Sequence, residues 1–497
     1  MILSIGNINF IQMKPTSEQE KSIALALTGQ TFKMTAYAGA GKTSTLNFIG
    51  NTLTRQKGLY LAFNKPIAEE AAKKFSDNID CKTFHSMAFR QTPKFITEKL
   101  NYTRLLPRTM AMMFDLRDYR IPLEIDNQRS ETCDPNDQGL ILTRALDLFC
   151  RSTSDEITHD MLMKAMPKWA DKQFCGDLAA GLVDKANSLW KMSIDNNSKI
   201  RITHDIYLKY WALKDPVINT KFILFDEAQD ADPIMLDILK KQATQVIYVG
   251  DKHQQIYAFR GAINAMQSLE IPETLLTKSF RFGEPIANVA NHLLFKLLGE
   301  RVSLIGNEKV NSYISEVHAP YAHLARTNAG ALSSALKLVL DGYKPKINLD
   351  TKMLLEQIED ADKLQNNKKV EKKSDFFGFL NWAEVQSYVE QFPNSDLTPV
   401  VTLIENHGTS HLVNVITQLK QTDNYDCFVS TAHKSKGLEF PKVKIGDDFF
   451  WNEKKEGVLM SDAEARLFYV ACTRAINTLD ISMMEKFFSR LKDLPLY

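Results

Sequence analysis

The sequence predicts an α/β chain built on parallel sheets flanked by helices, and three observations carry that prediction. Short apolar runs alternate with helical patterns through the first ninety residues. A glycine-rich turn joins one such run directly to a helix, and a later apolar run ends in adjacent carboxylates. Together they describe strand–turn–helix units with chemistry at the carboxyl ends of the strands.

In chain order, Phe32–Tyr37 reads as a strand, followed by a glycine-rich turn and a helix from about Lys42. Leu59–Phe63 reads as a second strand and Lys65–Phe75 as a helix. From about 100 to 220 the strand signal is lost, and periodic stretches such as Asp137–Phe149 and Cys175–Trp190 read as helices. Strands return at Lys221–Phe225 and Gln245–Val249, so a helical insertion interrupts the first α/β unit. Strand signals at His323–Arg326, Cys427–Thr431, Val443–Ile445 and Leu479–Met483 predict a second unit. A second interruption lies between about 340 and 420. Its segment Lys363–Lys373 (KLQNNKKVEKK) is polar and charged, and is read as an exposed loop or a basic patch for nucleic acid.

Composition bounds the function classes. Among 497 residues, 61 Lys and Arg face 60 Asp and Glu, a formal net charge of +1, and 44% of residues are hydrophobic. This excludes a largely disordered chain and a basic tail-like protein, but leaves room for a local basic groove. The six cysteines form no CxxC pair, which predicts reduced thiols and no disulfide framework or zinc cluster. No apolar run approaches the ~18 residues of a membrane span, and MILSIGNINFIQMKPTSEQ does not read as a signal peptide. The expectation is a soluble, cytoplasmic chain with no membrane partner.

The sharpest local signal is Ala36-Tyr37-Ala38-Gly39-Ala40-Gly41-Lys42-Thr43. Its position after a strand and before a helix is the context of a phosphate-binding loop, although Ala36 stands where the general pattern has Gly. Backbone N–H groups of small residues wrap phosphates, and a helix N-terminus favours their charge. The expected nucleotide ligands are Ala38, Gly39, Ala40, Gly41, Lys42, Thr43 and Ser44, with Lys42 reaching the β/γ-phosphates and Thr43 holding Mg²⁺. A purely structural turn is the alternative for this segment alone. The second half of the site is the strand Phe222-Ile223-Leu224-Phe225 running into Asp226-Glu227-Ala228-Gln229-Asp230. Asp226 suits the Mg²⁺ shell, and Glu227 suits a base that polarises the attacking water. The two segments supply complementary halves of one nucleoside triphosphate site.

With further motifs added, the chain resembles superfamily 1 helicases of the UvrD/Rep type over nearly its whole length. The wording is like that of the helicase portion of the F-box DNA helicases, with no F-box segment in these residues. Gln19, in Pro15-Thr16-Ser17-Glu18-Gln19, resembles the adenine-reading glutamine upstream of the phosphate loop. Phe63-Asn64-Lys65 and Thr83-Phe84-His85-Ser86 resemble motifs Ia and Ib, and Asp226–Asp230 matches the DExxD box. Gly250–Gly261 (GDKHQQIYAFRG) resembles motif III, and Ser279-Phe280-Arg281 motif IV. Thr431–Phe440 (TAHKSKGLEF) resembles motif V, and Tyr469–Ala475 (YVACTRA) motif VI. Each short motif is weak alone; the ordered set is specific.

The resemblance implies two RecA-like domains, each with a mainly helical insertion. Domain 1A takes residues 1–90 and 205–278, insertion 1B 91–204, domain 2A 279–335 and 421–497, and a small insertion 2B 336–420. It implies Gln254 as a γ-phosphate sensor, Arg281 and Arg474 as arginine fingers, Phe280 as a ring on adenine where Tyr is usual, and Glu439 near the ribose or γ-phosphate. Guanidinium forks suit phosphate oxygens bidentately. On the strand side, Phe63, Phe84, Tyr257 and Phe259 are candidates for base stacking, which is sequence-tolerant. His85, Thr431 and His433 are candidates for contacts to backbone phosphates, and Asn64 and Arg260 are further candidates for the nucleic-acid face. Phe259 stands where the family has Trp. The implied activity is ATP- and Mg²⁺-dependent unwinding, moving 3′→5′ on single-stranded DNA and acting at single-strand/duplex junctions. A translocase without strong unwinding, a motor subunit serving a nuclease or a recombination factor, and an RNA-directed enzyme remain alternatives.

Overall fold

A computed structural model describes residues 14–101, 107–124, 126–257, 264–371, 374–391, 397–419, 424–452 and 459–494. Fourteen strands are found among them. β1 (Phe32–Ala36), β2 (Gly58–Leu61), β3 (Ile79–Lys82), β6 (Phe222–Phe225), β7 (Gln245–Gly250) and β8 (Glu273–Leu276) form one sheet in the order β3-β2-β6-β7-β1-β8. Every pairing in it is parallel. β9 (Tyr313–Ile314), β10 (Ala322–Ala325), β11 (Pro345–Asn348), β12 (Cys427–Thr431), β13 (Phe440–Ile445) and β14 (Ala475–Asp480) form a second, in the order β11-β12-β10-β13-β14-β9. It too is wholly parallel. Two parallel sheets flanked by helices are the α/β architecture expected of paired RecA-like units.

The central strands explain themselves. β6 (FILF) and β7 (QVIYVG) are buried at every position, as strands covered by helices on both faces must be. Since all strands of the first sheet are parallel, the turns after β1, β2, β6 and β7 open on one edge, and the candidate residues of this half lie there. Helix α1 (Ser17–Leu27) starts at a capping box in which Thr16 and Gln19 bond reciprocally. Helix α2 (Lys42–Thr52) starts at Gly41, with φ +77° and no side-chain cap. Helix α3 (Lys65–Ala72) is capped by Asn64 and has Pro in its first turn, and α4 (Phe84–Gln91) is capped by Thr83.

Several sequence expectations are corrected. The stretch from 100 to 220 is not free of strands: β4 (Tyr119–Leu123) and β5 (Asp126–Cys133) form an antiparallel hairpin beside its helices. β5 (DNQRSETC) is polar, and β4 (YRIPL) is short and interrupted by Pro122, so neither presents a clear strand signal. β11 lies within the stretch expected as the second insertion, yet it pairs with β12 as an edge of the second sheet. The last strand is Ala475–Asp480 rather than Leu479–Met483, since Asp480 ends the strand and Ser482–Met484 turn into a short 3₁₀ helix. The charged segment from Lys363 begins inside the helix Thr351–Gln365, where Leu364 is buried; residues 372 and 373 lie outside the described residues.

The two stretches expected as insertions touch. Trp169 packs edge-on against Phe377 with ring centroids 5.6 Å apart, and Lys168–Asp375 (3.6 Å) and Arg129–Glu384 (3.7 Å) flank that contact. Every strand of the first sheet precedes Thr277 and every strand of the second follows Ser279. At this crossing Glu18 accepts hydrogen bonds from the Thr277 N–H (2.8 Å) and hydroxyl (2.6 Å). Ser279 N–H donates to the Ile305 carbonyl at 2.8 Å, and Ile305 N–H to the Thr277 carbonyl at 2.9 Å. The cysteines form no disulfide bond, and no described helix is long and apolar enough to cross a membrane.

Candidate functional site

The turn after β1 is shaped by Gly39 and Gly41, with φ of +71° and +77°. A Cβ on Gly39 would fall 2.6 Å from Ser279 Oγ, and one on Gly41 2.9 Å from the Phe280 ring. The motif IV segment of the second half therefore lies directly on the loop, and Phe280 N–H donates to the Gly39 carbonyl at 2.8 Å. Since α2 has no side-chain cap, its first N–H groups, from Lys42, Thr43 and Ser44, have no intrahelical acceptor and suit an anion. Thr43 is exposed. Gln19 is buried and donates to Thr45 Oγ1 at 2.9 Å, which sets its amide beside the start of α2.

Two loop residues depart from the expected role. Ala38 N–H donates to the Tyr469 hydroxyl (3.1 Å), and Ala40 N–H donates to the Tyr37 carbonyl (3.0 Å). Both groups are engaged within the protein, so the phosphate contacts expected of these two N–H groups are withdrawn.

Lys42 Nζ lies 3.4 Å from Glu227 Oε1. Burial lowers the Lys42 pKa, but the charges of Glu227, Asp251 and Asp226 outweigh it and leave the net shift upward. Asp226, at the end of β6, accepts from the Tyr60 hydroxyl (2.8 Å) and from Glu227 N–H (2.9 Å). Burial, followed by the neighbouring Glu227 charge, pushes the Asp226 carboxyl up to about 6. Burial also acts upward on Glu227, but Lys42 and Lys436 hold its carboxyl well below the usual range. Of the pair, Glu227 holds its charge more firmly, while burial and its neighbour disfavour the charge on Asp226. Glu227 sits at φ +52°, an uncommon backbone region for a non-glycine residue and one often found at functional sites.

Motif III follows β7. Asp251 is fully buried; its Oδ2 accepts from Gln254 Nε2 (2.9 Å) and from the Tyr469 hydroxyl (3.1 Å). Gln229 bridges the acids to this strand by accepting from Asp251 N–H at 3.2 Å and donating to Glu227. From the second half, Arg281 pairs with Glu439 (2.6 Å) and donates to the Thr473 carbonyl (2.8 Å), leaving its buried Nε without a partner. Arg474 is only 2% exposed and donates to the Val470 (2.9 Å) and Leu438 (3.4 Å) carbonyls. Burial, and then the Arg281 charge, lower its pKa to about 9. Arg281 retains an unpartnered donor, whereas Arg474 stands as a buried brace; the finger expected of Arg474 is not free in this arrangement.

On the strand side, Phe63 is 51% exposed and lies parallel to Tyr257, with centroids 6.4 Å and planes 10° apart. Lys436 sits over the Tyr257 ring at 5.3 Å. Phe63, Tyr257, His85, Asp226, Glu227 and Asp230 share the lining of one cavity of about 180 Å³. Two expected contacts, those of Phe84 and Thr431, are corrected. Phe84 is 2% exposed and packs edge-on against Phe225 at 5.5 Å, so it is a core residue. Thr431 is buried at the end of β12, with its hydroxyl accepting from Lys434 N–H at 3.4 Å. Asn64 is exposed; its Oδ1 caps α3 by accepting from Ile67 N–H at 3.0 Å, which leaves its amide donors facing outward from the cap. His85 bonds Asp205 at 3.0 Å, and Arg151 pairs with the same carboxylate at 3.1 Å, tying motif Ib to the first insertion. His433 is half-buried. Phe259 and Arg260 lie outside the described residues.

The sequence reading missed Tyr60, Tyr469, Lys436 and Gln229. Three of these stood inside the quoted motifs, but their partners are far apart in sequence or chemically unmarked.

Comparison with known proteins adds relatives. An AAA domain model matches residues 19–260. The chain is 30% identical to F-box DNA helicase 1 of Gallus gallus, over 95% of this chain and 49% of the relative. It is 29% identical to F-box DNA helicase protein 1 of Schizosaccharomyces pombe, over 93% of this chain and 56% of the relative. A probable DNA helicase II homolog of Mycoplasma genitalium is 25% identical over 52% of this chain and 40% of its own length. The chain thus spans about half the length of the two F-box relatives.

Proposed function

We propose that this chain is an ATP-driven DNA helicase or translocase of the superfamily 1 UvrD/Rep type, moving 3′→5′ on single-stranded DNA. The observation that carries the reading is the shared cavity: the acids Asp226 and Glu227 and the parallel rings of Phe63 and Tyr257 line the same space. That shared lining supports a reading in which Glu227 acts on water beside a pair of rings that accept a base. Polarity comes from the resemblance alone.

The donor set fits a nucleoside triphosphate with Mg²⁺. The uncapped start of α2, Gly39, Gly41 and Lys42 suit the phosphates; Gln19 and the Phe280 ring flank the same loop and suit the base. Thr43 and Asp226 would hold Mg²⁺, which when bound neutralises charge on the phosphate oxygens. Glu227, kept anionic by Lys42 and Lys436, orients and polarises the attacking water. Arg281 from the second half meets charge developing on the transferred phosphoryl group. Because Glu227 follows a strand of the first sheet and Arg281 lies beyond the crossing to the second, turnover requires the halves to be together. Alternation between closed and open cleft is what moves a strand held by stacking and by phosphate contacts.

The test compares ATPase activity with single-stranded DNA, duplex DNA and RNA, beside strand displacement on 3′- and 5′-tailed duplexes. The reading expects strong stimulation by single-stranded DNA and unwinding of the 3′-tailed duplex. Turnover indifferent to nucleic acid would reject the motor; stimulation without displacement would favour a translocase.

A further inference from the structure

One buried carboxylate has no place in the nucleotide chemistry above. Glu300 follows the helix Glu284–Leu297 of the second half and is 8% exposed. Its Oε2 accepts from the Tyr37 hydroxyl at 2.6 Å, from His253 Nε2 at 2.8 Å and from Lys252 Nζ at 2.7 Å. Its Oε1 accepts from the N–H groups of Arg301 (2.8 Å) and Val302 (3.2 Å). Two of these donors are in motif III and one is in the phosphate loop, while the acceptor belongs to the other half of the molecule.

The surroundings make the contact specific. Tyr37 and Ala38 are buried within the second half's own apolar cluster, with Phe282, Ile286 and Leu304. The Tyr37 ring stacks on His253 at 6.1 Å, and His253 meets Tyr469 edge-on at 6.3 Å. Tyr469 supplies the parallel link, from Ala38 N–H to Asp251 and so to Gln254. The segment that begins under Glu300 at Lys252 therefore carries Gln254 two residues on, and reaches the Tyr257 ring five residues on. A buried charge held by five donors is costly to leave without its partners, so it moves as one unit with them.

We propose that Glu300 is a positioning residue that couples single-strand binding to ATP turnover. It fixes Lys252 and His253 to the second half, so that displacement of the Tyr257 ring by a bound base is passed to Gln254 and the phosphate loop instead of being absorbed by the segment. The inference rests on the motor reading above. Glu300 touches neither water nor phosphate in this role, so its loss affects stimulation and spares the nucleotide site.

The test uses the full chain, with oligo(dT) as the strand. Glu300→Gln is expected to keep basal ATPase and the KM for ATP within about twofold of wild type, and to lose at least tenfold of the oligo(dT)-stimulated kcat. Glu300→Asp, which keeps the charge on a shorter arm, is expected to restore part of that stimulation. Wild-type stimulation in folded Glu300→Gln overturns the proposal, as does a parallel fall in basal rate, stimulated rate and ATP affinity, which marks a merely structural role. Should Glu300→Gln fail to fold, folded Glu300→Asp with full stimulation overturns it, and reduced stimulation at unchanged KM supports it. If wild type itself is indifferent to oligo(dT), the motor reading fails and this inference with it; stimulation in wild type and variant alike removes this inference alone.

Discussion

Lys436, from the loop after β12, is ion-paired with Asp230 of the first half, and the same ammonium donates to the Gln254 carbonyl at 2.8 Å. Both side chains are largely buried, and the Asp230 Oδ1 has no hydrogen-bond partner. One cation thus joins the acidic turn, motif III and motif V across the two halves. Removing one member of a buried pair typically costs ~3–5 kcal/mol, since the other charge is stranded. Lys436→Met is expected to destabilise the protein by about that amount, and adding Asp230→Asn to recover most of it. Denaturant titration of the single and double variants measures this; additive losses would show that the pair is not coupled.

At the nucleotide site, Lys42→Ala should weaken ATP binding, and Glu227→Gln should retain binding while turnover falls by roughly a hundredfold or more. Equilibrium binding of a fluorescent ATP analogue beside steady-state turnover separates the two. A Glu227→Gln enzyme with wild-type turnover would move the base elsewhere.

Arg281→Ala should reduce kcat by roughly a thousandfold with modest change in ATP affinity, because its donors act on charge that develops during transfer. Arg474→Ala should instead lower the thermal midpoint, since its guanidinium is spent on the Val470 and Leu438 carbonyls. Calorimetry and single-turnover kinetics on both variants would expose a reversed assignment.

Phe63→Ala should lose ~1–3 kcal/mol of single-strand affinity and little stability, because the ring is half exposed and stacking is its main contact. Phe84→Ala should cost ~3–5 kcal/mol of stability, as a ring buried against Phe225 leaves a cavity. Fluorescence anisotropy with oligo(dT) and denaturant midpoints distinguish the two phenylalanines.

What could be read from the sequence follows burial on both faces. β6 and β7 announced themselves because every residue is covered. β3 (IDCK) and β11 (PKIN) sit at sheet edges with one covered residue each, and their polar positions erased the signal. The carboxylates after β6 and the glycines before α2 were legible because local backbone geometry demands those residue types. Tyr37 with Glu300, 263 positions apart, and Ala38 with Tyr469, 431 apart, were not. Such pairs depend on how two sheets meet, which no local period encodes. Phe84 failed for a related reason: successive residues of a helix point in directions about 100° apart, and only packing decides which ring is outside.

A pH effect on stability follows from His323 in β10, which is buried and bonded to Ser334 Oγ at 2.9 Å. Burial, then the Lys444 charge, lowers its pKa from 6.5 to about 4. The unfolded chain therefore binds a proton that the folded chain refuses between those values. This contribution is fully present above about pH 6.5 and is lost as pH falls toward 4. At about 1.4 kcal/mol per unit it amounts to roughly 3 kcal/mol at most. Thermal midpoints between pH 4.5 and 7.5 should slope upward, and His323→Gln should flatten that slope; an unchanged slope would place its origin in other groups.

The crossing at Thr277–Ser279 has a mechanical meaning. With all first-sheet strands before it and all second-sheet strands after it, the two halves share a single covalent tether. Any pull generated by closing the cleft and not carried by side-chain contacts must run along these three residues. Glu18 grips the tether on one side through both polar groups of Thr277, and Ile305 laces it on the other. A strap anchored at both ends transmits force where a slack linker would stretch, so a few inserted glycines there would let the halves bind and hydrolyse yet slip against each other like a ratchet without a pawl.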